Sequence, residues 1–195
     1  TIVVSMPIKQ NQKQHSLSLL HIDWLKSKYN NITDYTISLD DVFNSFKDTM
    51  ISFKSDLAFA NSRSRLRMTA LYQIAQSNNA LVVGTGNKVE DFGIGFFTKY
   101  GDGGVDISPI ADCNKTQVWE MGKELGISRE IIEAKPTDGL WDDERNDEDQ
   151  IGLSYLQLEE AMNNPQSKYF QKYEKIRKPN LHKMKPIPIC KFQDE

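Results

Sequence analysis

The sequence predicts an α/β fold, a doubly wound parallel sheet with helices on both faces. Three observations predict it. Ile2, Val3 and Val4 run without alternation, as strands buried on both faces do. Two further strand candidates, YTISL at 35–39 and ALVVGT at 80–85, are separated from it and from each other by segments of helical spacing. Two of the three candidates end at Met6-Pro7 and Gly84-Thr85, and sheets of this kind bind ligands at the carboxyl ends of their strands.

The elements follow in order. Residues 1–8 read as the first strand. Residues 16–29 place Leu17, Leu20, Trp24 and Leu25 on one helical face. After the strand at 35–39, Asp40 is the expected N-cap of a short helix carrying Val42, Phe43 and Phe46. A longer helix covers 56–77, and 80–85 is the third strand. The stretch 84–109 holds seven glycines and little periodicity. Lys115 to Leu125 reads as a helix, with Gly126 at the place of a left-handed cap. Ser128 caps a short helix through Ile132. Residues 134–150, AKPTDGLWDDERNDEDQ, are polar and acidic. Ser154 with Gln157 forms a capping box that opens a helix to Met162. The tail, KIRKPNLHKMKPIPICKF, is basic and contains proline.

The chain of 195 residues and 22.4 kDa fits one domain, 1–195, around one core. No apolar run approaches the ~20 residues that span a bilayer, so no membrane partner is expected. TIVVSMPI lacks the basic start and cleavage site of a signal peptide. Cys113 and Cys190 stand far apart in unlike contexts, which fits a reducing compartment and a cytoplasmic location. No cysteine–histidine cluster offers a zinc site. A formal net charge of −3 gives no global sign of nucleic-acid binding.

Several residues have the chemistry of a site. Gly84-Thr85-Gly86-Asn87 follows an apolar stretch. Its glycines let backbone N–H groups approach an anion, and Thr85 adds a hydroxyl; a tight turn alone gives the same pattern. Glu90 and Asp91 come next, either as surface acids or as oxygen ligands for magnesium beside a phosphate. In Lys99-Tyr100-Gly101-Asp102-Gly103-Gly104-Val105-Asp106, three glycines in four positions lie between Phe96-Phe97 and Ile107. That suits a loop pinned against a ligand, with Lys99 for an anion and Asp106 for a hydroxyl or amine. A disordered turn is the alternative. Arg63, Arg65 and Arg67 alternate, so on a helix they cannot form one patch. One of them is a candidate carboxylate or phosphate anchor. Lys115 opens a helix, where cation and dipole together attract phosphate. Thr137-Asp138-Gly139 is a turn or a presented hydroxyl. His182-Lys183, among Lys178 and Lys185, has the charge to close over an anion.

Taken together, VVSMPI, NSRSRLRMTALY, LVVGTGNKVEDFGIGFFTKYGDGGVDISPIADCNKTQVWEMGKELG, AKPTDGLWDDERNDEDQIGLSYLQLE and LHKMKPIPIC closely resemble the ammonia-dependent NAD synthetase family, in the family's order. The resemblance implies a Rossmann-like, homodimeric ligase of the adenylate-forming ATP pyrophosphatases. Its substrates are deamido-NAD, ATP and ammonia, with Mg2+ as cofactor. By motif position it assigns Arg65, Lys99, Asp106, His182 and Lys183 to deamido-NAD, the last two from the neighbouring subunit's side. It assigns Met6, Thr85, Lys115 and Thr137 to ATP, with Met6 against the adenine, and Glu90 to the metal. No residue is singled out as catalytic. The acidic stretch from Trp141 to Asp149 is a candidate lid.

The family's first strand and its SGGxDS phosphate loop have no counterpart in this chain, which begins at what would be the second strand. These residues alone are therefore not expected to support adenylation. Two other readings stand beside the first: another amide-forming adenylating synthetase, such as a GMP synthetase domain, and a non-catalytic nucleotide-binding fragment.

Overall fold

In the computed structural model, residues 1–140 and 146–192 are described. The first strand, β1 (Ile2–Ser5), runs into helix α1 (Gln12–Lys28) and returns as β2 (Thr33–Thr36), parallel to β1 in the register Ile2↔Thr33 to Ser5↔Thr36. A parallel pair needs such a crossover, because the chain must travel back before it can run the same way again. α1 begins four residues earlier than the apolar pattern predicts, since the Asn11 side chain accepts from Lys13 N–H and caps the helix there. β2 is shifted toward the N-terminus relative to 35–39. Pairing nevertheless continues past it, with Ile37 N–H on the Ser5 carbonyl (2.8 Å) and Leu39 N–H on that of Pro7 (3.1 Å).

Helix α2 (Asp40–Thr49) has Leu39, not Asp40, at its N-cap. Asp40 is already helical, and its Oδ1 takes the backbone N–H of Lys9 at 2.6 Å. That bond ties the loop after β1 to α2. Helix α3 (Asp56–Ser77) starts at Ser55, whose hydroxyl accepts from Ala58 N–H.

The third predicted strand does not form. Residues 80–85 make one isolated parallel bridge, Val83 with Ile107, flanked by Asp106 N–H to Val82 O (3.0 Å) and Gly84 N–H to Ile107 O (2.8 Å). Leu81 and Val83 stay exposed. An apolar run becomes a strand only where a second backbone takes up its N–H and C=O groups, and here the partner is one turn of chain after the glycine loop. Among the described residues the sheet therefore has two strands.

The glycine-rich stretch is more ordered than its composition predicts. It holds a π-helical segment, Lys88–Ile94, capped at one end by Asn87 and ended by Gly95 in the left-handed conformation (φ 67°). Helix α4 (Lys115–Glu124) follows, then α5 (Arg129–Ile132), with Gly126 left-handed between them as expected. Within the stretch read as an acidic loop, Asn146 and Asp149 form a capping box that starts α6 (Asp147–Ile151). Helix α7 (Tyr155–Asn163) opens on the predicted Ser154–Gln157 box.

The basic tail is mostly a helix, α8 (Phe170–Met184), which continues through Pro179. Its polar side chains fill the carbonyls that the π-helical segment leaves open. Arg177 donates to Phe92 and Gly93, Asn180 Nδ2 to Ile94 (3.0 Å), and Lys183 to Gly95 (2.9 Å) and Phe97 (2.8 Å). Beneath these bonds lies a core cluster of Val89, Ile94, Ile151, Leu153, Tyr155, Leu158, Ala161 and Tyr173. Two smaller clusters, around Phe43 and around Met68, line α3.

Candidate active site

The structure groups the predicted residues into three places around the glycine-rich stretch. At the first, Asn87 leaves the 80–85 run and turns the chain. Its buried Oδ1 accepts from the N–H groups of Val89 and Glu90, both at 3.0 Å, while its Nδ2 donates to Glu90 Oε2. Glu90 Oε1 receives Lys115 Nζ at 2.8 Å and the Tyr155 hydroxyl at 2.5 Å. Two residues assigned to different ligands by resemblance are thus an ion pair, with side chains only 15 % and 16 % exposed. Tyr155 also reaches Asp147 Oδ2 at 2.9 Å. Burial, with Glu90 and Asp147 close by, pushes the Tyr155 hydroxyl far above the usual phenol range. Asp147 is raised to about 6, first by burial and then by Glu90 and Asp138, against the neighbouring Tyr155 hydroxyl and the charge of Lys115.

The start of α4 differs from the expected open phosphate clamp. Glu159 of α7 fills it, taking Thr116 N–H at 3.0 Å and the Thr116 hydroxyl at 2.8 Å. A carboxylate already satisfies the dipole end, so Lys115 supplies the cationic chemistry by itself.

The second place is the Lys99–Asp106 loop. Asp102 Oδ1 accepts from the buried Ser64 hydroxyl (2.6 Å) and from Thr98 N–H (3.1 Å), and Asp102 N–H returns a bond to Ser64 Oγ (2.9 Å). Tyr100 holds a left-handed backbone (φ 66°) that a non-glycine side chain disfavours. The loop is therefore pinned, as its apolar flanks imply. Arg65 Nε donates to the Lys99 carbonyl (3.2 Å), and Lys99 Nζ to the His182 carbonyl (2.8 Å). Arg65, Lys99, His182 and Lys183 are brought together in this way. Asp106 is exposed but both its oxygens are engaged: Oδ1 takes the Tyr72 hydroxyl (3.0 Å) and Oδ2 takes Val82 N–H (2.7 Å). Nearby, a small cavity of about 120 Å³ is lined by Asp91, Asp102, Lys183 and Phe97 among others. Burial, then Asp102 and Glu90, raise Asp91 to about 7, against the pull of Lys183.

The third place is the carboxyl end of β1. Arg67 Nε donates to the Met6 carbonyl (2.9 Å) and its Nη2 to Gln10 (3.0 Å). Arg63 reaches the Leu140 carbonyl (3.1 Å) and lies over the Phe43 ring. The three arginines thus go to three different partners, as helical spacing requires. Thr137 Oγ1 accepts from Gly139 N–H at 3.2 Å, an ST turn lying against Gln10 and Gln14. Thr85 is exposed at the turn after Gly84. Residues 141–145 of the candidate lid lie outside the described residues, and 147–149 belong to α6.

Sequence reasoning missed Tyr155, Asp147 and the Ser64–Asp102 pair. Each acts across 38 or more residues, or through a buried hydroxyl, and no local spacing marks such contacts.

Magnesium accepts one or two carboxylates plus phosphate oxygens and water. Among the described residues no group of three or more acidic or histidine side chains is placed to hold a metal by itself. Glu90 fits the lesser demand. Its Oε2 takes a single amide from Asn87, and a carboxylate oxygen accepts a second partner.

Fold and site together describe an α/β protein with a cation-and-carboxylate cluster beside a pinned glycine loop. The chain matches the family model for NAD synthase over residues 1–193. It belongs to the NAD synthase family. It is 39 % identical over 143 residues to the NH(3)-dependent NAD(+) synthetase of Sulfurisphaera tokodaii, covering 73 % of this chain and 48 % of that protein. With the Archaeoglobus fulgidus protein of the same name it shares 39 % over 164 residues, 81 % of this chain and 65 % of that one. The chain therefore spans about half to two thirds of the length of these relatives. Among solved structures, the NMN synthetase of Francisella tularensis superposes with a TM-score of 0.90 at 31 % identity, covering 98 % of this chain and 79 % of that one.

Proposed function

We propose that this chain serves the ATP-dependent amidation of deamido-NAD by ammonia, as an NAD synthetase. The carboxylate oxygen of the nicotinate attacks the α-phosphorus of ATP, and the bond to pyrophosphate breaks. Ammonia then attacks the acyl carbon, AMP leaves with the former carboxylate oxygen, and one proton is released.

The observation that carries this reading is the Glu90–Lys115 pair, 2.8 Å apart at the end of the 80–85 run, in a chain of the NAD synthase family. A carboxylate is a poor acyl donor, so such an enzyme works by positioning and by neutralising phosphate charge. Lys115 supplies positive charge toward ATP, with Thr85, Thr137 and Met6 lining the nucleotide side. Glu90 would hold Mg2+, which when bound neutralises charge on the transferring phosphates. Lys99, Arg65, His182 and Lys183, gathered within one chain, would hold the anionic dinucleotide, and a homodimer is the proposed assembly. Asp106 supports this side as the anchor of the loop. Water must be kept from the adenylate, or hydrolysis replaces amidation. The setting is taken to be cytoplasmic.

A second reading has one observation in its favour. The Francisella structure is an NMN synthetase, so the mononucleotide acid is the competing substrate. Purified intact protein supplied with ATP, magnesium and ammonium, and with either deamido-NAD or nicotinate mononucleotide, distinguishes them. AMP release with NAD formation is the expected result. Faster amidation of the mononucleotide gives the second reading, and no amide from either sinks both.

A further inference from the structure

Tyr155 is almost fully buried, and its hydroxyl lies between two carboxylates, 2.5 Å from Glu90 Oε1 and 2.9 Å from Asp147 Oδ2. Its ring has two close neighbours. Trp119 of α4 packs edge-on at 5.7 Å, and Lys115 Nζ lies 4.9 Å from the ring centre. Its backbone N–H is held by Glu148 Oε1 at 3.0 Å, at the opening of α7. The hydroxyl therefore has little freedom to choose other partners.

A phenol has one proton to donate. The shorter contact, to the carboxylate also paired with Lys115, is where it goes. The bond to Asp147 then requires Asp147 to donate into the phenol oxygen. Asp147 is 6 % exposed, and its other oxygen, Oδ1, is buried without a hydrogen-bond partner. Such a pocket tolerates a neutral acid far better than a carboxylate. Burial accordingly holds Asp147 well above the ordinary range, at about 6, so below that pH Asp147 carries the proton it donates to the phenol.

We propose that Tyr155 is a positioning residue for Glu90, and that Asp147 sets the direction of its proton. In the chain Asp147 → Tyr155 → Glu90, with Lys115 and Asn87 on the remaining sides, the Glu90 carboxylate is held with Oε1 inward and Oε2 free to accept a further partner. Without the hydroxyl, Glu90 is free to turn and close both oxygens on Lys115. The inference rests on the reading of Glu90 as the magnesium carboxylate.

The test is Tyr155→Phe in the intact protein, which keeps the ring and removes one oxygen. Buried partners that orient a metal-binding side chain are typically worth about 10- to 100-fold in affinity or rate. The expected result is a loss of that size in kcat and in the magnesium concentration required, with KM for deamido-NAD unchanged, since its proposed contacts lie on the other loop. Calorimetric titration with ATP and magnesium reads the same loss without turnover, so a protein inactive on deamido-NAD still decides the inference. Unchanged magnesium dependence in Tyr155→Phe overturns it. Measured at about pH 5.5, where Asp147 holds its proton, Asp147→Asn, whose amide still donates to the phenol, should keep magnesium binding within about threefold of the parent, whereas Asp147→Ala should lower it by about the 10-fold end of that range. Equal behaviour of the two variants also overturns the proposal, and this pair decides it if Tyr155→Phe does not fold.

Discussion

Lys115 Nζ and Glu90 Oε1 meet at 2.8 Å across 25 residues of chain, joining the first residue of α4 to the middle of the π-helical segment. Both side chains are largely shielded, and removing one partner leaves the other partly buried and uncompensated.

Lys115→Met should therefore lower stability by about 1–3 kcal/mol, and Glu90→Gln by a similar amount. The double variant should lose less than the sum, because neither charge is then left alone. Urea unfolding of the four proteins checks this, and strict additivity would show that the pair is energetically idle.

Burial makes Asp147 a source of pH dependence. Its folded value of about 6 lies above its ordinary 3.8, so the native state binds the proton more tightly than the unfolded chain does. Its stabilising contribution is complete below the ordinary value and is lost as pH rises through about 6, a change on the order of 3 kcal/mol. The groups facing it are Tyr155, Glu90, Asp138 and Lys115. Asp147→Asn should flatten the stability profile between about pH 4 and 7 and exceed the parent protein at about pH 8. Parallel profiles for parent and variant would place the titration elsewhere.

Arg65 and Arg67, two residues apart, should respond in opposite ways. Arg67 is half-buried, and its loss leaves the Met6 carbonyl without its donor, so Arg67→Ala should destabilise by about 1–3 kcal/mol. Arg65 is exposed, and Arg65→Ala should change stability by no more than about 0.5 kcal/mol while raising KM for deamido-NAD. Thermal melts beside steady-state kinetics separate the two.

Gly101 has no room for a side chain. A Cβ there would lie 2.3 Å from Ser64 Oγ and 3.0 Å from Thr98 Cβ, against the bonds that hold Asp102. Gly101→Ala should lower stability by about 1–3 kcal/mol through overpacking and loosen the loop carrying Lys99. Unfolding curves and proteolysis of the 99–106 segment measure both effects; an unshifted midpoint would mean that the loop gives way freely.

The local sequence was a good guide wherever a structure closes on itself within a few residues. The Ser154–Gln157 box, the turn at Gly126 and the helix from Lys115 all appear where their residues place them. Caps and left-handed turns are satisfied by neighbours in the chain, so the chain alone decides them. The glycine loop was also recognisable as pinned, from the apolar residues on either side of it.

Tertiary structure decided the rest. The run 80–85 has strand composition but only one bridge, because strand formation depends on a second backbone that no local pattern supplies. The tail from Lys175 reads only as basic and proline-containing, yet it is helical to Met184 because Arg177, Asn180 and Lys183 find unfilled carbonyls at residues 92–97. Glu90 and Lys115 were each visible as charged groups near glycines and a helix start. That they bond to each other, and that Tyr155 and Asp147 stand behind them, follows only when α4, α6 and α7 are packed against the π-helical segment. Hydrogen bonds and burial at that distance depend on which surfaces meet, and only the folded chain fixes that.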